Sequence, residues 1–217
     1  MNTVNSFSDK TLPVIIPSLL QAGIEKSDIY IFEGGHEERS VNDYNGIVYI
    51  KTNHNSLEYT SFIEIVENKL ISDYWFYIHD TSVVGSKFKE LLYNIPANSP
   101  EKIALTNYPS MSMGSYSYDY ILSKKDLLLS IKNSDYSKES ILKWKSWGVE
   151  NEDFILFRNN DLDTPVYNPE LVNRLVSESE NIYGGESERI KEYYPQLDLY
   201  KYKSNWMGLA VELKVNV

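Results

Sequence analysis

Tyr74-Trp75-Phe76-Tyr77-Ile78-His79-Asp80-Thr81-Ser82 decides the fold class, because five apolar positions in a row run into four polar ones. A strand that is apolar at every position has no solvent face, so it reads as a central strand covered on both sides. Just upstream, Asn55 to Glu58 has capping-box spacing, ahead of a helix whose apolar face is Tyr59, Phe62, Ile63, Val66 and Leu70. Before that helix come two more apolar strands, Asp28 to Glu33, stopped by Gly34-Gly35, and Gly46 to Lys51. The chain opens with a short strand over residues 1–6 and a helix that Asp9 would cap. Pro13 would lie in the first turn of that helix and Pro17 inside it. Leu12, Ile15, Ile16, Leu19 and Leu20 supply its apolar spacing, and Gly23 ends it.

Strand–helix–strand alternation with fully apolar strands predicts an α/β protein, with a mostly parallel central sheet flanked by helices on both faces. Farther along the chain, Lys102 to Thr106 reads as a strand and Lys124 to Lys132 and Glu139 to Trp147 read as helices. Asn168-Pro169-Glu170 predicts another cap and a helix through about Ser177. The last segment, 181–217, interleaves aromatic and basic residues without a clear period. There is no repeat, low-complexity tract or linker, so 217 residues form one domain.

Composition narrows the function classes. Acidic residues exceed basic ones, 31 to 21, for a net charge of −10, whereas a protein held to nucleic acid by counterion release carries the opposite sign. The absence of cysteine removes disulfides, thiolate zinc sites and cysteine nucleophiles. No apolar run reaches the roughly 18 residues of a membrane span, and the first residues lack a signal peptide's basic start and apolar stretch. A cytoplasmic protein without nucleic-acid or membrane partners is expected, and its ends are compatible with a domain of a longer chain. Eighteen tyrosines and four tryptophans against seven phenylalanines suit stacking on sugars or bases, or equally an ordinary set of half-buried rings.

Ligands of open α/β sheets bind outside the carboxyl ends of the strands. Three such ends are polar here: Asn5-Ser6, Glu33-Gly34-Gly35 and His79-Asp80-Thr81-Ser82. Asp80 can hold a hard divalent cation that neutralises a diphosphate, or it can cap a helix over Gly85 to Leu92. His79 alternates to the other side of the strand. Glu150, Glu152 and Asp153 follow Trp147-Gly148, which sets a candidate general base beside an aromatic platform; an acidic helix start is the other reading. Arg189, Lys191, Lys201 and Lys203 gather positive charge among Tyr193, Tyr194, Tyr200, Tyr202 and Trp206, as an anionic ligand needs in an acidic protein.

Taken in order, Glu33, His79-Asp80-Thr81, Trp147-Gly148 and Glu152-Asp153 resemble the motifs of GT-A-fold glycosyltransferases. Such enzymes carry an Asp-x-Asp-type motif after a core strand and, when inverting, an x-Glu-Asp motif with the catalytic base. The stretch Tyr194 to Trp206 is similar to the endings of small glycosyltransferases from large algal DNA viruses and some bacteria. The resemblance implies a nucleotide-sugar-binding part over about 1–110 and an acceptor and catalytic-base part over about 111–217. It implies a UDP-linked donor, a glycan or glycoprotein acceptor, and Mn2+ or Mg2+ as cofactor. In a viral setting the compartment would be the host cytoplasm.

Residue by residue, it puts Asn5 and Ser6 near the nucleoside and Glu33 on the uracil or ribose. Asp80, with His79 beside it, would hold the metal and diphosphate, and Arg189, Lys201 and Lys203 would meet the donor's negative charge. Asp153 matches the base, with Glu152 as neighbour or substitute, while Trp147 and Tyr116 would face the acceptor. Two features depart from the family: His79-Asp80-Thr81 has one carboxylate where two are usual, and no histidine follows position 79. A nucleotidyltransferase on a related sheet and a non-catalytic carbohydrate-binding module are the competing expectations.

Overall fold

The computed structural model describes residues 1–5, 7–56, 59–94, 102–104, 113–132, 173–175, 191–195 and 197–202. The expected readings at Ser6, Glu58, 139–147, Trp147, Glu152, Asp153, Arg189 and Lys203 lie outside these residues.

β1 (Asn2–Val4) leads into α1 (Ser8–Gln21), followed by β2 (Tyr30–Gly34), β3 (Ser40–Tyr44) and β4 (Ile47–Lys51). These strands form one sheet in the order β1-β2-β4-β3. β2 pairs in parallel with β1 and β4, whereas β3 is antiparallel to β4. Next come α2 (Thr60–Glu67), β5 (Tyr74–Tyr77), β6 (Ser82–Val84) and α3 (Phe88–Tyr93). Then follow β7 (Lys102–Ala104), β8 (Gly114–Ser117), α4 (Tyr118–Ser123), α5 (Lys125–Lys132), β9 (Asn173–Leu175), β10 (Lys191–Tyr194) and β11 (Leu199–Tyr202). They build two further sheets, β5-β8-β7 and β6-β11-β10-β9. An isolated parallel bridge from Asn2 to His79 links β1 to the residues just after β5.

The protein is therefore mixed α/β, but parallel pairing is confined to β1, β2, β4 and that bridge. All other described strand pairs are antiparallel, which corrects the mostly parallel sheet expected. Helices do cover both faces of the parallel part. Successive side chains of a strand point to opposite faces, and β2 shows it. Ile31 packs with Leu12, Ile15 and Leu19 of α1, while Phe32 packs with Phe62, Ile63 and Val66 of α2.

Local chemistry explains the boundaries. The N-cap of α1 is Phe7, two residues before the expected Asp9 and without a side-chain capping bond, and the helix contains both Pro13 and Pro17. Its end is a Schellman turn: Ile24 N–H bonds to Leu19 O and Gly23 N–H to Leu20 O, with Gly23 at φ +85°. β3 and β4 form a hairpin across Asn45-Gly46, whose φ values of 55° and 92° are those of a type I′ turn. The helix expected after Asn168-Pro169-Glu170 is replaced over 173–175 by strand β9, whose backbone pairs with β10. Trp75 and Phe76 of β5 are half-buried and Tyr74 is exposed, so only the carboxyl end of that strand is covered on both faces.

Candidate functional site

β1 has β2 on one side and the end of β5 on the other, while α1 and α2 pack on opposite faces. The order of chain segments therefore reverses at β1, and the carboxyl end of a strand at such a switch point is where open α/β sheets open a crevice. Asn5, the first turn of α1, Glu33 and Asp80 all collect there. A cleft of about 480 Å³ lies at this end, lined by polar residues such as Asn5, Asp9, Glu33 and Lys51 together with Ile16, Ile31 and Ile47; Asp80 does not line it. A larger cavity of about 580 Å³ lies at the opposite, amino end of β2 and β5 and is lined mostly by apolar groups such as Leu19, Ile29, Trp75 and Phe88. The smaller crevice, the more polar of the two, is the one that strand direction favours.

Asp80 follows β5 and is half-buried. Its Oδ2 accepts hydrogen bonds from Thr3 Oγ1 at 2.7 Å and Thr11 Oγ1 at 2.9 Å. Two hydroxyls thus fix one oxygen of the carboxylate, and among the described residues no hydrogen bond reaches Oδ1. Asp80 does not cap α3, which starts at Phe88 with Lys87 at its N-cap. The carboxylate at that helix start is Asp198, which accepts from Lys87 N–H at 3.1 Å. His79 departs from its expected place beside Asp80. Its ring packs edge-on against Tyr77, 5.2 Å away between centroids, and Tyr77 belongs to the core on the α2 side. Asp80 instead reaches α1, on the other face.

Lys201 arrives from β11, which pairs with β6 so that Lys201 lies opposite Ser82. Its Nζ donates to Thr81 Oγ1, which sets a cation on the residue next to Asp80. Asn5 is exposed and donates from Nδ2 to Gly35 O at 2.7 Å. Gly34 is needed for close approach, since a Cβ there would lie 3.1 Å from His54 O and 3.2 Å from the Asn55 backbone.

Glu33 is 3 % exposed. Burial works to raise its pKa, yet hydrogen bonds from Ser8, Tyr49 and His36 prevail and hold the carboxyl below its usual range. Burial and the same carboxylate push the Tyr49 phenol out of the range in which it ionises. With three protein donors around it, Glu33 is not open to a nucleoside as expected. Tyr116 is also moved: it is fully buried in the core against Phe62, centroids 5.1 Å apart, and so cannot face an acceptor.

His36, His54 and Glu64 were not anticipated from the sequence. His36 Nε2 lies 2.7 Å from Glu33 Oε2, and the i, i+3 spacing after a strand end was its available signal. His54, Glu64 and Glu67 can bring three ligand atoms within 4.8 Å of one another, but their carboxylates are already engaged. Glu64 takes Arg39 Nε at 3.0 Å, Asn68 Nδ2 at 2.8 Å and His54 Nε2 at 3.3 Å, and Glu67 takes Lys132. This is a structural ion network. Burial opposes ionisation of Glu64, but His54 and Arg39 overcome it and lower its pKa from 4.5. A carboxyl lowered on folding stabilises above its unfolded value, and that stability is lost as pH falls through the folded value. Urea midpoints of the wild type should therefore drop steeply below about pH 4.5, and Glu64→Gln should flatten that drop. Parallel pH profiles for the two proteins would contradict the network's ionisation.

Compared with known proteins, the chain matches no family model, no curated protein and no solved structure. Among the described residues no helix is long and apolar enough to cross a membrane.

Proposed function

We propose that this protein is a nucleotide-sugar-dependent glycosyltransferase with a GT-A-like fold, acting with inversion on a UDP-linked donor and a glycan acceptor. The observation that supports the reading is a carboxylate at the switch point, Asp80, held through one oxygen by Thr3 and Thr11, with a cation from the far end of the chain, Lys201, bonded to the adjoining Thr81. A diphosphate needs both: positive charge close by in a protein of net charge −10, and a carboxylate that could hold a divalent cation.

The donor set suits Mg2+ or Mn2+ held by a single carboxylate, with diphosphate and water completing the shell, because such ions commonly use one or two carboxylates plus substrate phosphates. His79 is not part of that set. When bound, the ion would neutralise charge developing on the leaving diphosphate. Lys201 would meet the same charge from the protein side, and Asn5 would border the nucleoside. In the displacement the acceptor hydroxyl oxygen attacks the anomeric carbon and the bond to the diphosphate breaks, its electron pair leaving with the diphosphate. The hydroxyl proton passes to a carboxylate, for which Asp153, with Glu152 beside it, remains the candidate from the resemblance.

The test is incubation with a panel of UDP-sugars and manganese, following UDP release and, with acceptor, the anomeric proton signal of the product. UDP release and an inverted product are expected. Retention of configuration would overturn the mechanism. Release of pyrophosphate from a nucleoside triphosphate instead, or sugar binding without turnover, would replace the reading with a nucleotidyltransferase or a carbohydrate-binding module.

A further inference from the structure

We propose that the cavity of about 580 Å³ at the amino end of β2 and β5 is a second binding site, for an amphiphile with an apolar body and one protonated amine. The site lies at the opposite end of these strands from Asp80 and does not rest on the transferase reading. Its origin is the aromatic run that opens β5. Tyr74, Trp75 and Phe76 are apolar enough for a central strand, yet Tyr74 is exposed and the other two are half-buried. This end of the strand therefore forms a cavity wall where packed core was expected. The same space is lined by Leu19 of α1, by Phe88 and Leu92 of α3, and by Ile29 and Ile78. A concavity of roughly 300–1,000 Å³ lined mostly by apolar and aromatic side chains is the usual form of a small-molecule site.

Charge decides the head group. Two carboxylates, Asp28 and Asp73, line the cavity, and both residues are exposed, which puts them at its mouth. Among the described residues no lysine, arginine or histidine lines it, and no ion pair neutralises either carboxylate. Asp28 accepts from the Tyr93 hydroxyl at 3.2 Å. Lys89 approaches the Tyr93 ring to 5.9 Å but is held by Gly23 O at 2.6 Å and Glu25 at 3.4 Å. The Met1 amine, which also borders the cavity, donates to Tyr30 O at 2.6 Å; burial lowers its pKa to about 5, so it sets no positive charge against a cation near neutrality. The rim is apolar as well as acidic. Tyr74 and Tyr93 are 39 % and 62 % exposed, and Ile71, 80 % exposed, directly precedes Ser72 of the lining. Large apolar side chains held in water around a cavity mark a binding surface. Tyrosine faces attract cations, so rings and carboxylates alike favour an ammonium over an anion.

The test is calorimetric titration of three probes that share an octyl chain, octylamine, octanol and octanoate. They are titrated into the wild type, into the double variant Asp28→Asn with Asp73→Asn, and into Leu92→Trp. The wild type should bind octylamine about fivefold tighter than octanol, the size of an exposed ion pair, and octanoate weakest of the three. The double variant should bind octylamine and octanol alike, with its octanol affinity unchanged. Raising the salt concentration should erase the wild-type preference in the same way. Leu92→Trp, which fills the cavity from α3, should bind none of the probes. Because Asp28 and Asp73 are exposed, the double variant tests the head-group site even where Leu92→Trp does not fold. Equal affinity for the three probes in the wild type, an octylamine preference that survives in the double variant, or undiminished binding by a folded Leu92→Trp overturns the assignment. Binding of none of the probes by the wild type overturns the site itself.

Discussion

Asp80→Asn should cut UDP-sugar hydrolysis by about 10²–10³-fold, the usual loss when one charge-stabilising group is removed from a transferring centre, while the melting temperature stays close to that of the wild type. The contrast follows from the difference between hydrogen bonding and charge. Oδ2 is held by the hydroxyls of Thr3 and Thr11, both at least 95 % buried, and the amide oxygen of Asn can still accept from both. What Asn cannot supply is the negative charge. Asp80→Ala should lose activity to the same extent and stability as well. It leaves the buried Thr3 hydroxyl without its acceptor, at a cost of about 1–3 kcal/mol, while Thr11 can still donate to Phe7 O at 3.2 Å, and it loosens the tie between β1 and α1. Thermal melts and donor hydrolysis on both variants separate the two contributions. Full hydrolysis by Asp80→Asn in manganese would remove Asp80 from the site, and an equal melting-temperature loss in both variants would make its role purely structural.

How much of this was legible differs between strands and site. β2, β4 and β5 announce themselves because buried strands must be apolar on most positions, and the apolar face of α2 follows from helical spacing alone. β3 was hidden by its polarity: Ser-Val-Asn-Asp-Tyr is an edge strand with one face in water, and only Asn45-Gly46 marked the hairpin. β9 was misread because Asn168-Pro169-Glu170 is good helix-start chemistry, whereas the conformation of 173–175 is set by pairing with β10 from farther along the chain. Tertiary pairing overrides local propensity in this way where a segment is short. At the site, Asp80 could be read directly as a carboxylate ending an apolar strand. Its thirds of the environment could not, because Thr3, Thr11 and Lys201 come from distant parts of the chain. Glu33 was found for the right place and the wrong task, since the sequence does not reveal that Ser8, Tyr49 and His36 converge on it.

Gly85→Ala should destabilise the fold by about 1–3 kcal/mol, as overpacking against a closed contact does. In a protein of 217 residues each kcal/mol lowers the melting temperature by roughly 2–4 °C. The backbone at Gly85 needs no left-handed conformation; its constraint is proximity. A Cβ at that position would overlap the Asp198 carboxylate. That carboxylate is tied on several sides, for Oδ2 accepts from Lys87 N–H at 3.1 Å, Oδ1 from Tyr193 OH at 3.2 Å, and the Asp198 carbonyl from Gly85 N–H at 2.7 Å. Together these bonds clamp the turn of the β10–β11 hairpin onto the β6–α3 junction. Leu197 and Leu199, on either side of Asp198, are buried in the α1-side core, so the turn has little room to retreat. Lys201 is three residues beyond Asp198, and displacing the clamp should carry its Nζ away from Thr81 and lower donor affinity along with stability. The double variant Gly85→Ala with Asp198→Gly tests the cause. Glycine removes the obstructing carboxylate and tolerates the φ of +49° found at Asp198, so the second change should restore part of what the first one costs. Strictly additive losses in the double-mutant cycle, or an unchanged melting temperature in Gly85→Ala alone, would show that the hairpin is held by something other than this contact.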